Sequence, residues 1–190
     1  MRPLIAMLFL LVASVWAQDH NNDLEITQPA DFATSPSEWR KMAEQGQAIA
    51  QYNLGITYEY GRGVRQNDVE AVKWYRKASA QGVSVAQYKL GVMYDNGWGV
   101  PPSDTEAVRW YSDAAEQGHT LAQHDLAFMY AAGTGVAQDY VQAYMWLNVA
   151  LAIGNSLMVQ HLDSVSRKLS LAQIEEAQQL AREWIENHQQ

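Results

Sequence analysis

The sequence repeats itself every 36 residues, and this period constrains the fold more than any other feature. Three consecutive copies keep the same residue at many positions, with no insertion or deletion between them. The repeated positions include Leu54, Leu90 and Leu126; Tyr58, Tyr94 and Tyr130; Ala71, Ala107 and Ala143; and Trp74, Trp110 and Trp146. A period in this range is typical of stacked arrays, in which each unit buries its apolar face against its neighbours. We therefore expect a chain built from repeated units.

Each copy is predicted to contain two helices, of which the first runs over about Ala48–Tyr60 in the first copy. Apolar residues there include Leu54 and Tyr58, which are four residues apart and so lie on one helix face. Gly61 and Gly63 follow, and glycine readily adopts the left-handed conformation that ends a helix. Paired glycines also occur in phosphate-binding loops, but those loops follow a strand. Because a helical pattern precedes these glycines, we interpret them as helix ends.

The second helix of each copy has a start signal, a capping side chain three residues before an acid or amide. The pairs are Asn67 with Glu70, Ser103 with Glu106, and Asp139 with Gln142. In this arrangement the capping side chain accepts a hydrogen bond from an otherwise unpaired backbone amide. Similar pairs are predicted to open the next first helices, namely Ser84 with Gln87 and Thr120 with Gln123.

Trp74, Trp110 and Trp146 share one register on the predicted apolar face of the second helix. Such a row could form an aromatic ligand site, but core positions between units account for it better. We expect the three indoles to be buried, and replacement of one by alanine to cost about 3–5 kcal/mol of stability.

The first residues have the pattern of a signal peptide. Arg2 precedes an apolar run over residues 4–15, which is shorter than a membrane-spanning helix. We expect cleavage after Ala17, with an uncleaved N-terminal anchor as the alternative. The polar stretch that follows is expected to be a flexible leader. Ser35 and Glu38 then form a further predicted helix start, with a proline between them in the first turn.

The composition excludes several classes of function. The chain has 21 acidic residues, 13 lysines and arginines and no cysteine, and its formal net charge is −8. An acidic surface repels phosphate backbones, so nucleic acid is not an expected partner. The lack of cysteine excludes disulfides and thiolate metal sites. The histidines are not spaced as metal ligands on a helix and no nucleophile motif is present, so we predict no metal, cofactor or catalytic residues.

The first copy has the pattern Ala-x-Ala-Gln-Tyr-x-Leu-Gly-x-x-Tyr, then Gly-x-Gly-Val, Glu-Ala-x-x-Trp-Tyr and Ala-x-x-x-Gly, and the later copies keep most of it. This pattern resembles the Sel1-like repeat, a branch of the tetratricopeptide superfamily. The third copy departs from it at His124, Ala127 and Leu147, where the others have tyrosine, glycine and tyrosine. Residues 173–184 are similar to the ends of exported bacterial members. The resemblance implies an all-α, right-handed α-solenoid of stacked antiparallel helix pairs.

The repeat and its flanking segments predict the domain organisation. Terminal units of an array cover the apolar edge and show a polar face to water. We predict a signal peptide (1–17), a leader (18–34), an N-terminal capping helix (35–47), three repeats (48–82, 83–118 and 119–154) and C-terminal capping helices (155–187).

The resemblance also implies a candidate binding surface, because the first helices of tetratricopeptide-type stacks line a concave groove. Aligning the repeats to that pattern directs these residues towards it: Ile49, Tyr52, Ile56, Glu59, Tyr60, Val85, Tyr88, Val92, Asp95, Asn96, Leu121, His124, Phe128, Ala131 and Ala132. Tyr52, Tyr88 and His124 are expected to form a ladder of rings, and Glu59 and Asp95 to supply negative charge. Such a groove suits a peptide with some basic character. The alternative is that several of these side chains only pack between neighbouring first helices.

The predicted function is that of a non-catalytic adaptor or scaffold that binds another protein or peptide, exported to the periplasm or secreted. The alternative is a binder of cell-wall ligands, or a hydrolase of the β-lactamase-like kind. Cysteine-rich relatives with that activity use paired cysteines, which this chain lacks. A self-associating structural repeat is a third hypothesis, and the oligomeric state stays open.

Overall fold

The computed structural model describes residues 35–152 and 158–188, and all regular structure in these ranges is α-helical. The predicted signal peptide and leader lie outside the described residues. The helices are α1 (Pro36–Glu44), α2 (Ala48–Tyr60), α3 (Asp68–Ser79), α4 (Ser84–Asn96), α5 (Asp104–Glu116), α6 (Thr120–Ala132), α7 (Tyr140–Ala152), α8 (Met158–Ser166) and α9 (Leu171–Asn187). The predicted all-α class is thus confirmed. We call α2, α4 and α6 the first helices, and α3, α5 and α7 the second helices.

The described helices divide into two compact units, with the boundary after His119. In the N-terminal unit, α2 pairs with α3 and α4 with α5, while α1 packs on α2 and α3 packs on α4. In the C-terminal unit, α6 pairs with α7, and both α8 and α9 pack against α7. Each unit therefore contains helix pairs of the predicted kind.

Side-chain caps set the starts of the second helices, as the sequence predicts. The Asn67 side chain accepts a hydrogen bond from the Glu70 amide at 3.1 Å, and Ser103 accepts one from Glu106 at 3.3 Å. Asp139 caps α7 by accepting from the Gln142 amide at 3.0 Å. Each bond satisfies a backbone donor that the first turn of a helix leaves unpaired.

The predicted caps at Ser84 and Thr120 are wrong. Both residues are the first residues of their helices, and Val83, which has no capping side chain, occupies the N-cap of α4. The Gln87 side chain is buried, and its carbonyl oxygen accepts a hydrogen bond from the Gln117 amide group at 2.5 Å. This glutamine therefore joins helices instead of closing a capping box.

Glycines end the first helices, also as predicted. Gly61 has a φ of 65°, in the left-handed region, and its amide donates back to the Thr57 carbonyl. At Gly99 a Cβ would lie 2.4 Å from the Asp68 carbonyl carbon, so the second glycine of that turn lets it approach the start of α3. The paired glycines thus serve helix termination and close packing.

Two tyrosines, rather than the predicted tryptophans, are the largest fully buried side chains of the N-terminal unit. Tyr75 and Tyr111 are 0% and 2% exposed, whereas Trp74 and Trp110 are only half-buried. Trp146, in the C-terminal unit, is buried as predicted and meets Trp184 edge to face, with ring centroids 5.7 Å apart. The prediction of three equivalent core indoles is therefore wrong for Trp74 and Trp110.

A glycine in the first helix makes room for each buried tyrosine. A Cβ on Gly55 would lie 2.4 Å from Cε1 of Tyr75, and one on Gly91 would lie 2.4 Å from Cδ1 of Tyr111. Both glycines are inside helices, where glycine is unfavourable by about 1 kcal/mol relative to alanine. The close approach of the rings explains why this position nevertheless holds glycine.

Gly91→Ala is expected to destabilise the protein by about 1–3 kcal/mol, because overpacking the ring outweighs the gain in helix propensity. The third copy has Ala127 and Leu147 at these two positions. Gly91→Ala combined with Tyr111→Leu reproduces that pair. A double-mutant cycle measured by urea denaturation tests this. The double variant should lose at least about 1 kcal/mol less free energy of unfolding than the sum of the losses of the two single variants. Additive losses would show that the ring does not restrict this position.

Candidate functional site

The first-helix face of the N-terminal unit, which comprises the predicted groove positions on α2 and α4, presents apolar side chains to solvent. Ile49 is 41% exposed and Tyr60 is 55% exposed, at opposite ends of α2. Ile56 of α2 and Val92 of α4 are less exposed and partly buried. Exposed side chains of this size in the first helices make this face a candidate contact surface.

Tyr52 and Val85 were predicted to face the groove, but both are buried. The Tyr52 ring packs against Tyr75, with centroids 5.9 Å apart. Its counterpart Tyr88 is half-buried, lies 5.8 Å from Tyr111 and stacks on His119 at 4.5 Å. These rings therefore contact aromatic side chains outside the first helices, and in this unit the predicted ladder along the groove is wrong.

Glu59 is buried and engaged, so it does not present a free negative charge. Its carboxylate accepts a hydrogen bond from the Tyr75 hydroxyl and lies 2.9 Å from the ammonium of Lys89 on α4. Lys89 also donates to the Tyr60 hydroxyl at 3.1 Å and lies 5.2 Å from the centre of that ring. The predicted attraction of Glu59 for a basic peptide is therefore neutralised from within the protein.

The surroundings of this network raise the pKa values of both Tyr75 and Lys89. Burial, together with the neighbouring Glu59 carboxylate, raises the pKa of Tyr75 well above its ordinary value. Burial lowers the pKa of Lys89, but hydrogen bonds to Glu59 and Tyr60 and the Glu59 charge raise it by more, so the net shift is upward. Tyr75 thus stays neutral and Lys89 stays charged near neutral pH. This is the pattern of a structural ion pair.

The equivalent site in the second copy is open. Asp95 takes the place of Glu59 and is exposed, and its carboxylate lies 3.4 Å from the Tyr111 hydroxyl. Asn96 beside it is also exposed, and its side chain donates to the Val92 carbonyl at 2.9 Å. The accessible negative charge of the predicted groove residues in this unit is therefore that of Asp95.

The first-helix face of the C-terminal unit is formed by α6 and is also apolar. Leu121 is 52% exposed and Phe128 is 44% exposed. His124 lies between them, half-buried, with its ring 4.7 Å from that of Phe128 and its Nδ1 2.9 Å from a carboxylate oxygen of Asp125. Ala131 is partly buried and Ala132 is exposed at the end of the helix.

Sequence reasoning missed Lys89 and His161. Both lie at one register of the 36-residue period, which also includes Asn53 and Asp125. The residue type changes at every copy of this register, so no repeated pattern marked it. The signal was available as a charge reversal between Lys89 and Asp125 at a position next to the predicted groove.

Neither a metal site nor a membrane-spanning helix is found in the described ranges 35–152 and 158–188. They contain no cluster of histidine, aspartate and glutamate side chains able to hold a metal ion. Within the same ranges, none of the helices combines the length and apolar character needed to cross a bilayer.

Comparison with known proteins identifies the repeat. The model of the Sel1 repeat matches residues 48–83, 84–119 and 120–155, which together are more than half of the chain. Comparison with curated protein sequences finds no match.

Two solved structures are similar to this chain. One is a protective antigen present in uropathogenic Escherichia coli strains that displays an SLR fold, with 37% identity and a TM-score of 0.73. The match covers 80% of this chain and 33% of the antigen, so the chain spans about a third of that protein's length. The other is a Sel1 repeat protein from Oxalobacter formigenes, with 38% identity, a TM-score of 0.63, and coverage of 67% of this chain and 96% of that one.

These matches confirm the predicted all-α solenoid class and the predicted resemblance. Sel1 repeat proteins are generally protein-interaction scaffolds, and their tetratricopeptide-like relatives are typically non-catalytic. The three consecutive repeats, the helix pairs and the two similar structures agree. The chain belongs to the Sel1 repeat family.

Proposed function

We propose that this chain is a non-catalytic adaptor that binds a partner polypeptide through its first helices. The observation that carries the proposal is the exposure of large apolar side chains there. Ile49, Tyr60, Leu121 and Phe128 are each between 41% and 55% exposed, and all four lie at groove positions expected from the sequence. Buried aromatic and aliphatic anchors supply most of the energy of protein interfaces, so these four are the proposed anchors.

The charge of this surface favours an amphipathic partner over a strongly basic one. Glu59 is neutralised by Lys89, which leaves Asp95 as the exposed acid among the predicted groove residues of the N-terminal unit. The partner segment is therefore expected to bind mainly through apolar side chains. A helix with apolar residues on one face, or an extended segment with alternating ones, has the required chemistry.

The proposal includes export of the protein from the cytoplasm. It rests on the apolar run over residues 4–15, with Arg2 before it and Ala17 at the expected cleavage point. If the full chain is expressed in its source cells, the extracytoplasmic protein should have a mass that corresponds to a start at Gln18. A full-length protein confined to the cytoplasm would contradict this part of the proposal.

Site-specific photo-cross-linking in the source cells tests the binding surface. A photoreactive phenylalanine at Ile49 or Phe128 should form a covalent adduct with one reproducible polypeptide. Matched controls are Val69 and Leu171, which are 51% and 81% exposed but lie outside the first helices. The first pair should give abundant adducts, whereas the controls should give little or none.

A negative charge introduced on this surface completes the test. Phe128→Glu should abolish the adduct formed through Ile49 if one partner contacts both faces. Its effect on the thermal unfolding temperature measures how much the packing of this ring on His124 and His161 stabilises the protein. Adducts formed equally well through Val69 and Leu171, or none at any position, would argue against a first-helix binding surface.

A further inference from the structure

The C-terminal unit contains a depression of about 140 Å³ between α6, α7 and α8. Its walls include Ala127, Phe128 and Ala131 of α6 and Leu147 of α7. Tyr140 of α7, three residues of α8 (His161, Ser164 and Val165) and Lys168 after it also line the depression. The lining is therefore mainly apolar, with two nitrogen-bearing side chains, His161 and Lys168, on one side.

This depression occupies the repeat positions that hold a filled polar core in the N-terminal unit. Counting two periods from Tyr75 leads to Leu147, and from Glu59 to Ala131. In the first copy the tyrosine ring is fully buried and its hydroxyl donates to the glutamate. In the third copy the ring and the carboxylate are both replaced by smaller apolar groups. The space that they fill in the first copy is open here.

A basic residue is kept at the position that corresponds to Lys89, but it is a histidine. Two periods from Lys89, which pairs with Glu59, lead to His161. The His161 ring packs edge to face on Phe128 at 4.7 Å and lies 5.3 Å from the ring of His124. Within the described residues its Nδ1 is buried and has no hydrogen-bond partner. A buried polar atom without a partner is unfavourable, and here the acid that would have paired with it is missing.

Lys168 adds a second uncompensated group at the rim. Its side chain is exposed, and no carboxylate of the described ranges lies within ion-pair distance. The adjacent Arg167, by contrast, is paired with Asp163. Although the chain is acidic overall, an unpaired cation beside an apolar depression gives this spot a local preference for an anion.

The size and the missing groups together define an occupant. A cavity of about 150 Å³ is known to hold a benzene ring, so the depression has room for one aromatic side chain. The third copy lacks the aromatic ring and the carboxylate that fill this space in the first copy, and a ligand with an aromatic ring and an acid would supply both. We propose that this depression binds an aromatic side chain of a partner polypeptide with an acidic residue next to it, whose carboxylate faces His161 and Lys168. This proposal rests on the proposed function and specifies one anchor of the partner.

Binding of short peptides to the full chain tests the proposal. The probe is acetyl-Ala-Phe-Asp-Ala-amide, and methyl resonances of Ala127, Ala131 and Leu147 report on the depression. We expect saturable shifts of these methyl groups. The peptides with Lys in place of Asp, or Ala in place of Phe, should bind at least about tenfold more weakly. Free 3-phenylpropionate carries the same chemistry without a backbone and should bind no better than the first peptide.

Variants with matched controls separate the pocket from the rest of the surface. Ala131→Leu fills the depression and should abolish the methyl shifts. The control is Ala132→Leu, which changes the next residue, an exposed one, and should leave the shifts unchanged. Lys168→Met should weaken binding of the Asp peptide about tenfold, and Arg167→Met should leave it unchanged. Replacing Ala127, Ala131 and Leu147 by Gly, Glu and Tyr restores the constellation of the first copy and should also abolish binding.

Each result supports or overturns the proposal. Equal binding of the Asp and Lys peptides, or shifts that persist in Ala131→Leu, would overturn it. Tighter binding of 3-phenylpropionate than of the peptide would replace the polypeptide by a small aromatic acid as the ligand. Cross-linking through Ile49 in the other unit is independent of this pocket. Its persistence alongside failed peptide binding would reject the pocket and leave the adaptor function standing.

Discussion

Tyr75→Ala is expected to lower the free energy of unfolding by about 3–5 kcal/mol, the range for removing a large buried aromatic side chain. The ring is completely buried, contacts the Tyr52 ring and lies against Gly55. Its hydroxyl also satisfies Glu59, which loses a partner when the side chain is removed. Equilibrium denaturation in urea, followed by circular dichroism, measures the loss.

Two further variants divide this effect into its parts. Tyr75→Phe keeps the ring and removes the hydrogen bond to a charged acceptor, and should cost about 1.5–3 kcal/mol. Trp74→Ala removes the larger but half-buried neighbour and should cost less than Tyr75→Ala. A larger loss for Trp74→Ala would mean that the indoles, not the phenols, anchor the helix pairs.

Acidification from pH 7 to pH 4 is expected to remove about 3 kcal/mol of stability through His119 alone. Burial lowers the pKa of His119 from 6.5 to about 4 in the folded protein. The unfolded chain therefore takes up this proton first. The contribution is fully present above pH 6.5 and is lost as the pH falls towards 4.

His119→Phe isolates this contribution, because phenylalanine can keep the stacking on Tyr88 but cannot take up a proton. Carboxylates and the other histidines titrate in both proteins, so their effects cancel in the difference. Between pH 7 and pH 4 the variant should lose about 3 kcal/mol less stability than the parent protein. Parallel stability curves would show that His119 is not held neutral by the fold.

The helix pairs and their boundaries could be predicted because the signals for them are local and repeated. Asn67 and Ser103 cap their helices through bonds to a residue three positions later, and Gly61 ends α2 in the predicted conformation. Each of these features depends on a few neighbouring residues. Ser84 misled because its side chain is chemically suitable for a cap but lies one position inside the helix.

The identity of the core aromatics was harder to predict. Trp74 and Tyr75 are adjacent and lie about 100° apart on one helix, so both fall within a broad apolar stripe. Periodicity cannot decide which of them points at the neighbouring helix. The deciding feature is Gly55, whose missing side chain admits the tyrosine ring. That contact joins residues twenty positions apart and leaves no periodic trace.

The candidate site was predicted as a face but not as a set of accessible side chains. Ile49 and Phe128 are exposed where the repeat alignment puts them. Glu59 is not available, because Lys89 from the next repeat neutralises it. Such pairing depends on residues that vary between copies, so a repeat consensus cannot contain it. The depression near His161 has the same origin, since it arises where the third copy departs from the first two.

Hydrogen–deuterium exchange tests the first-helix binding surface most directly. It is measured on the full chain alone and after addition of the polypeptide that the cross-linking identifies, purified separately and not cross-linked. Bound polypeptide should slow amide exchange in segments 48–60, 84–96 and 120–132, and leave the exposed turns of α3 and α9 unchanged. Slowed exchange confined to the second helices or to α9, with the first helices unaffected, would contradict the assignment of binding to the first helices.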